Sequence, residues 1–402
     1  MPSRGRFFKH DDFEFSLELL LGTAYYRAAD IGEVLATAAR VKDGDFESWC
    51  REWEETANRT AAAAESSAQA GHRVSAREAY LRASTYWFQV AFYAMGTSDG
   101  ASKFEACWRA HRRCFERAAA LFEPPVEKVE IPYEDTTLEG WLFRVDDSGR
   151  RRPLLLLNNG SDGTATDMYV QGAASGIDRG YNCLTFDGPG QNHALHEQGL
   201  YFRPDWERVV SPVVDYALTR DDVDVDRIAI LGVSQGGYWV PRAVAFEPRI
   251  AAAIADPGVV DVSRAMTDHL PPSMRKLLDA GEKDKFDRQI ARVERFSKSL
   301  RFTMKFRSFP YGTDSPFEMF TRARDYRLQP EVIRQIRCPT LITDPDDEQF
   351  WPGQSRELYD ALESPTELLH FSAAEGAESH CEPKATGLRA QRIFDWLDAT
   401  LA

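Results

Sequence analysis

Arg227-Ile-Ala-Ile-Leu-Gly-Val-Ser-Gln-Gly-Gly237 decides how this chain is read. The apolar residues Ile228 to Leu231 have the pattern of a short buried strand. After them the chain is expected to turn sharply through Gly232-Val233-Ser234-Gln235-Gly236 into a helix. This is G-x-S-x-G in a strand–turn–helix context, which puts a serine on a tight turn and pushes its hydroxyl into a cleft. Glycines two residues to either side are needed, because side chains there would collide with the neighbouring strand and helix. The helix start behind Ser234 adds free N–H groups and a positive dipole end where negative charge would build up. The five-residue pattern is common by chance, so its context carries the reading.

Working outward, strand patterns at 153–158, 182–187, 227–233 and 250–256 alternate with helical ones at 166–179, 204–219 and 236–246. A strand at 340–343, a helix near 354–362, a strand at 366–371 and a last helix at 384–401 follow a long interruption. Such alternation predicts an α/β fold: a mainly parallel sheet with helices on both faces. Ahead of it, 126–133 and 138–145 read as two strands joined by the Glu134-Asp135-Thr136-Thr137 turn, an antiparallel hairpin added at one edge. The interruption, about 261–336, holds Pro271-Pro272, mixed charge and helical patches; its length predicts an inserted lid. Upstream of 126 the chain reads as all helix, at 13–26, 46–70, 74–93 and 103–122, with Asp45 and Ser75 as N-caps. Pro124-Pro125 stops the last of these. Two domains follow: a helical one at 1–125 and a catalytic one at 126–402.

This alternation, with a serine on such a turn, resembles the α/β-hydrolase fold, where the chain order is Ser, then Asp or Glu, then His. Serine acyl transfer needs a base for its proton, an acid to hold that base, and donors for the oxyanion. Only His269, His370 and His380 follow Ser234. His269 lies in the expected lid and His370 near a strand end, whereas His380 falls in the loop between the last strand and the last helix. The acid is expected in Asp344-Pro-Asp-Asp-Glu-Gln-Phe-Trp-Pro352. Counting from Pro339 in the arrangement usual for this fold puts it at Glu348; counting four onward from the strand end puts it at Asp347. Glu348 is preferred, because Phe350-Trp-Pro352 then falls where an x-V-P is usual; Asp347 stays as the alternative, and Asp344 and Asp346 read as turn formers. One oxyanion donor is the N–H of Gln235. The other is expected from Asn158-Asn-Gly-Ser-Asp-Gly163, where the N–H of Ser161 is the candidate.

Composition narrows the partners. The 402 residues can bury a large core, and 49 basic against 63 acidic side chains leave a net charge of −14. Like charge opposes nucleic acid and anionic membranes, so neither is expected as a partner. No window reaches the length of a membrane span, and Met-Pro-Ser-Arg-Gly-Arg-Phe-Phe-Lys-His lacks the apolar centre of a signal peptide. Cys50, Cys107, Cys114, Cys183, Cys338 and Cys381 are scattered, which predicts free thiols and a cytoplasmic protein. His193-x-x-His196 has helical metal-face spacing but no third ligand in sight, so no metal is expected. Asp187-Gly-Pro-Gly190 reads as a structural turn and Cys381 as packing. Trp49, Trp53, Tyr80, Tyr86, Trp87, Phe88, Phe92 and Tyr93 read as mostly core.

Six segments carry a closer resemblance: Asn158-Asn-Gly-Ser-Asp-Gly163, Phe186-Asp-Gly-Pro-Gly-Gln191, Leu200-Tyr-Phe-Arg-Pro-Asp-Trp206, Gly232-Val-Ser-Gln-Gly-Gly237, Glu348-Gln-Phe-Trp-Pro-Gly-Gln354 and Gly376-x-x-x-His-Cys-Glu-Pro383. Together they look like the α/β-hydrolases with an N-terminal helical domain. That family includes the fungal heptaketide-shortening hydrolase of melanin pigment synthesis and dihydroxypseudooxynicotine hydrolase. The resemblance implies a triad of Ser234, Glu348 and His380 used on carbon–carbon bonds beside a ketone. It also implies a homodimer, with the substrate enclosed between helical domain and core. The expected function is hydrolysis of an activated carbonyl in a medium-sized, polyketide-like small molecule through an acyl-enzyme, with no cofactor. The bond is that of an ester or thioester, or the carbon–carbon bond of a β-diketone or aryl ketone. An acyltransferase or cyclase using the same triad, and a triad-bearing binding protein, stand as alternatives; fold alone does not choose among them.

Overall fold

The computed structural model describes residues 6–402. Met1 to Gly5, the opening of the expected helical domain and of the basic N-terminal stretch, lie outside the described residues. The chain divides into two compact units, Met1–Val126 with Pro383–Gly387, and Glu127–Glu382 with Leu388–Ala402.

The first unit is built on the helices Asp11–Thr23, Ile31–Ala38, Phe46–Gln69, Arg73–Ala94 and Gly100–Ala119. Its core is aromatic. Phe13, Trp49, Trp53, Tyr86 and Tyr93 are fully buried, with the Phe13 and Trp49 rings 4.3 Å apart and Trp53 and Tyr86 5.4 Å apart. The Asp45 carboxylate accepts from the N–H groups of Glu47 and Ser48, so it is a true N-cap. Ser75 is not: that helix starts at Arg73, whose guanidinium is tied to the carbonyls of Leu121 and Phe122, and Ser75 lies exposed in its first turn. Helix Ile31–Ala38 escaped the sequence reading. Its apolar residues Ile31, Val34, Leu35 and Ala38 have helical spacing behind an N-cap at Asp30, but the pattern runs for only eight residues.

The second unit holds an eight-stranded sheet: β1 (Glu127–Tyr133), β2 (Thr136–Phe143), β3 (Arg152–Asn158), β4 (Asn182–Phe186), β5 (Val223–Val233), β6 (Ala252–Asp256), β7 (Thr340–Pro345) and β8 (Thr366–Phe371). Their order is β1-β2-β4-β3-β5-β6-β7-β8, antiparallel at β1/β2 and β2/β4 and parallel everywhere else. Leu154 to Leu157 on β3 pair with Ile228 to Leu231 on β5, and all are buried. Strands covered on both faces need apolar residues at every position, which is why they read as unbroken runs. The opening turn is tighter than expected: Tyr133 pairs with Thr136, leaving Glu134 (φ 45°) and Asp135 as a two-residue loop.

Between β6 and β7 come helices Arg264–Thr267, Pro272–Asp279, Lys283–Glu294, Lys298–Ser308, Pro316–Ala323 and Pro330–Ile333. Each is short, and their buried Met274, Leu278, Phe286, Met319, Phe320 and Ile333 join the same apolar core as β1 to β7. The Tyr311 ring meets Phe202 at 5.3 Å and Tyr326 at 5.5 Å. Among the described residues, no helix is long and apolar enough to cross a membrane.

Candidate active site

β5 ends at Val233 and the helix Gly236–Val244 begins three residues later. Ser234 between them has φ 59°, a left-handed conformation that costs a non-glycine residue energy and persists only where its surroundings hold it. Two hydrogen bonds do so: its N–H donates to the Asp256 carbonyl at 2.6 Å, and its carbonyl accepts from Gly237 N–H at 2.8 Å. A methyl group at Gly232 would run into the Gly236 backbone.

His380 reaches this turn from the loop after β8. Its Nε2 lies 2.9 Å from Ser234 Oγ, and its Nδ1 lies 2.9 and 2.8 Å from the two carboxylate oxygens of Glu348. Its own N–H donates to Gln349 Oε1, and the rings of Phe350 and Trp351 pack on its imidazole at 4.7 and 5.6 Å. Glu348 Oε1 also accepts from the N–H groups of Phe350 and Trp351. Burial pushes the Glu348 carboxyl up, but the facing His380 and these two amides outweigh it and hold the group below its ordinary value.

The structure brings Glu348, and not the alternative acid Asp347, to His380 Nδ1. Asp347 is exposed, and its backbone pairs with Glu378 and Ser379 instead. β7 runs on through Asp344 to Pro345, two residues past its apolar part, so counting from Thr343 began too early. Asp344 is accordingly a strand residue, opposite His370 and paired with Arg356 at 2.6 Å, not a turn former. Asp346 lies at the turn after β7, but its carboxylate accepts from Ala373 N–H in the loop after β8, not from its own turn. His370 and His269 are both exposed, and neither contacts Ser234.

The loop after β3 lies against the nucleophile: a Cβ on Gly160 would stand 2.8 Å from Ser234 Cβ and 3.4 Å from its Oγ. Gly160 N–H is taken by Asn159 Oδ1. The N–H groups of Ser161 and Gln235 donate to no protein acceptor among the described residues. From the insertion, Arg307 Nη1 reaches Ser161 Oγ at 3.2 Å and both Asp162 carboxylate oxygens at 3.0 Å.

A second buried cluster escaped the sequence reading. Asp256, at the end of β6, accepts from Arg389 Nε at 2.6 Å and from Thr343 Oγ1 at 2.7 Å, while Glu382 Oε2 is 3.6 Å from Arg389. The side chains of Asp256, Glu382 and Arg389 are almost wholly buried. Burial, with Asp256 adding to it, raises the Glu382 carboxyl well above its ordinary value, so it is the member that keeps its proton. Cys381 is buried as well, its Sγ 3.3 Å from the Asp256 carbonyl, and burial raises its thiol out of the reactive range. His196 stacks on Phe309, and burial lowers it to about 4. Among the described residues no group of three His, Cys, Asp or Glu side chains is placed to hold a metal.

A serine turn after β5, a carboxylate after β7 and a histidine after β8, on this strand order, define an α/β-hydrolase. Residues 177–402 match the prolyl oligopeptidase family (Peptidase_S9), and the chain belongs to that family of α/β-fold hydrolases. It is 34% identical to the hydrolase LUC6 of Fusarium sp, over 96% of each chain. It is 31% identical to the 20-hydroxy-prefusarin hydrolase FUS2 of Gibberella moniliformis, over 98% of each. The crystal structure of 2,6-dihydroxy-pseudo-oxynicotine hydrolase has the same fold, with a TM-score of 0.74 at 21% identity over 95% of each chain.

Proposed function

We propose that the chain is a serine hydrolase of small organic molecules, cutting the bond beside an activated carbonyl through an acyl-enzyme on Ser234. The observation that carries this reading is the unbroken contact from Ser234 Oγ through His380 to Glu348, at 2.9 and 2.8 Å. Ser234 Oγ attacks the carbonyl carbon as its proton passes to His380 Nε2. Glu348 keeps Nδ1 protonated, orients the ring and stabilises the imidazolium. The N–H groups of Ser161 and Gln235 receive the oxyanion. Collapse breaks the bond to the leaving group, which takes the proton from His380. For a β-diketone that group is an enolate and leaves as a ketone; for an ester it leaves as an alcohol. Water, deprotonated by the same histidine, then frees the acyl group as a carboxylic acid.

Support for a small-molecule substrate comes from the relative named as a 20-hydroxy-prefusarin hydrolase, which is similar along nearly its whole length. The test is a panel of aryl esters, thioesters, β-diketones and short peptides, with product analysis and Ser234→Ala as control. Formation of a carboxylic acid with its ketone or alcohol partner is expected, falling by about 10⁴-fold or more in the alanine variant. A fluorophosphonate should mark Ser234. Full turnover by Ser234→Ala, or turnover confined to peptides, would overturn the proposal.

A further inference from the structure

The turn Asp187-Gly-Pro-Gly190 leads into Gln191, whose side chain is as buried as the strands of the core. Its carboxamide is fully engaged. Oε1 accepts from Gly188 N–H at 2.7 Å, while Nε2 donates to two consecutive carbonyls of the loop beside the nucleophile, Asn159 at 2.8 Å and Gly160 at 2.7 Å. A buried amide that satisfies two neighbouring carbonyls fixes the plane of both peptide groups that follow them. In a trans peptide the C=O and the next N–H point in opposite directions. Holding the Gly160 carbonyl towards Gln191 therefore turns the Ser161 N–H away from Gln191. The Asn159–Gly160 peptide is held in the same way, but its N–H is spent on Asn159 Oδ1. Of the two amides, only that of Ser161 stays free to meet a ligand.

We propose that Gln191 is a positioning residue for catalysis: it aims the Ser161 N–H at the oxyanion that forms on the Ser234 adduct. This rests on the proposed serine chemistry. Gln191 touches no reacting atom; it acts through the peptide plane of a glycine packed against Ser234.

Gln191→Glu keeps the acceptor for Gly188 N–H and the length of the side chain, but replaces the donor that faces two carbonyls. Gln191→Met removes both functions. Rates are measured on an activated aryl ester and normalised to sites titrated with a fluorophosphonate, so any misfolded fraction drops out. A misaimed oxyanion donor costs on the order of 10²-fold in kcat, and both variants should show that loss with KM changed less than about three-fold. Their affinity for a trifluoromethyl ketone, which forms an oxyanion on serine, should fall by a similar factor. Affinity for the matching secondary alcohol should not. If Gln191 merely shapes the turn at Gly188, Gln191→Glu keeps wild-type kcat per site, and the inference fails. Equal loss of affinity for ketone and alcohol would also defeat it. A wild-type enzyme that neither labels nor turns over would instead sink the serine mechanism itself.

Discussion

Two buried glutamates stand near His380: Glu348, from the loop after β7, and Glu382, two residues further along the histidine's own loop. Glu348 has the imidazole and two backbone amides within hydrogen-bond reach, and the sum holds its carboxyl low. Glu382 shares a single guanidinium with Asp256, and Arg389 sits a full ångström closer to the aspartate. One cation cannot balance two carboxylates in a dry interior, so Glu382 is driven to its neutral form. Burial is common to both; the number of donors aimed at each oxygen decides which is charged. One glutamate can thus hold an imidazolium in catalysis, while the other serves as a neutral packing group behind the serine turn.

The strongest way to break this comparison is Glu348→Gln. The amide keeps the shape but loses the charge and can stabilise the wrong imidazole tautomer, so kcat per titrated site should fall about 10³- to 10⁴-fold. A loss under about ten-fold would mean that the Glu348–His380 pair is not part of the chemistry.

Arg389→Met tests the other side. It leaves the Asp256 carboxylate buried without a counter-charge, and breaking a buried pair in this way costs about 3–5 kcal/mol. Chemical denaturation should show a loss of that size. A change below about 1 kcal/mol would show that the guanidinium is not what holds the cluster.

Glu382→Gln has a smaller effect with a definite sign. A group raised in the folded state holds a proton that the unfolded chain releases above its ordinary value of 4.5. Wild-type stability therefore declines as pH rises from there towards the folded value. Glu348, held low, works in the opposite sense: its contribution is present above the ordinary value and is lost as pH falls through the folded one. Glutamine at 382 removes the first slope and leaves the second. Relative to wild type, the variant should gain stability progressively across the pH window that opens above the ordinary value of 4.5 in denaturation measurements, with kcat little changed. A constant difference across that window would mean that Glu382 is charged.

These contrasts also explain what could be read from the residues alone. The sheet was legible because β3, β4, β5 and β6 are apolar on both faces, and the serine turn because its requirements are local. The acid stayed open between Glu348 and Asp347, since Asp344 and Pro345 continue β7 without an apolar pattern to mark it. The Asp256–Arg389–Glu382 cluster left no trace: its members meet across 133 positions, and nothing in a strand-end aspartate announces a partner on the last helix. Gln191 looked like the end of a turn, because its role exists only where the loop after β3 comes to meet it.

A third carboxylate sharpens the comparison by adding water. Asp162 follows Ser161 and pairs with Arg307 from helix Lys298–Ser308, with side chains 26% and 33% exposed. In partial contact with solvent, such a pair contributes only about 0.2–1 kcal/mol and weakens with salt. Arg307→Ala should therefore lower stability by no more than that. It should lower kcat only a few-fold, because Gln191 still holds the peptide planes from the buried side. In about 1 M salt the wild-type enzyme should approach the variant's rate, where the Debye length is about 3 Å. If Arg307→Ala instead costs as much in kcat as Gln191→Met, the loop beside Ser234 is aimed from its exposed side. The dry carboxamide would then be scaffolding, and the division between buried and solvated partners would not describe how this site works.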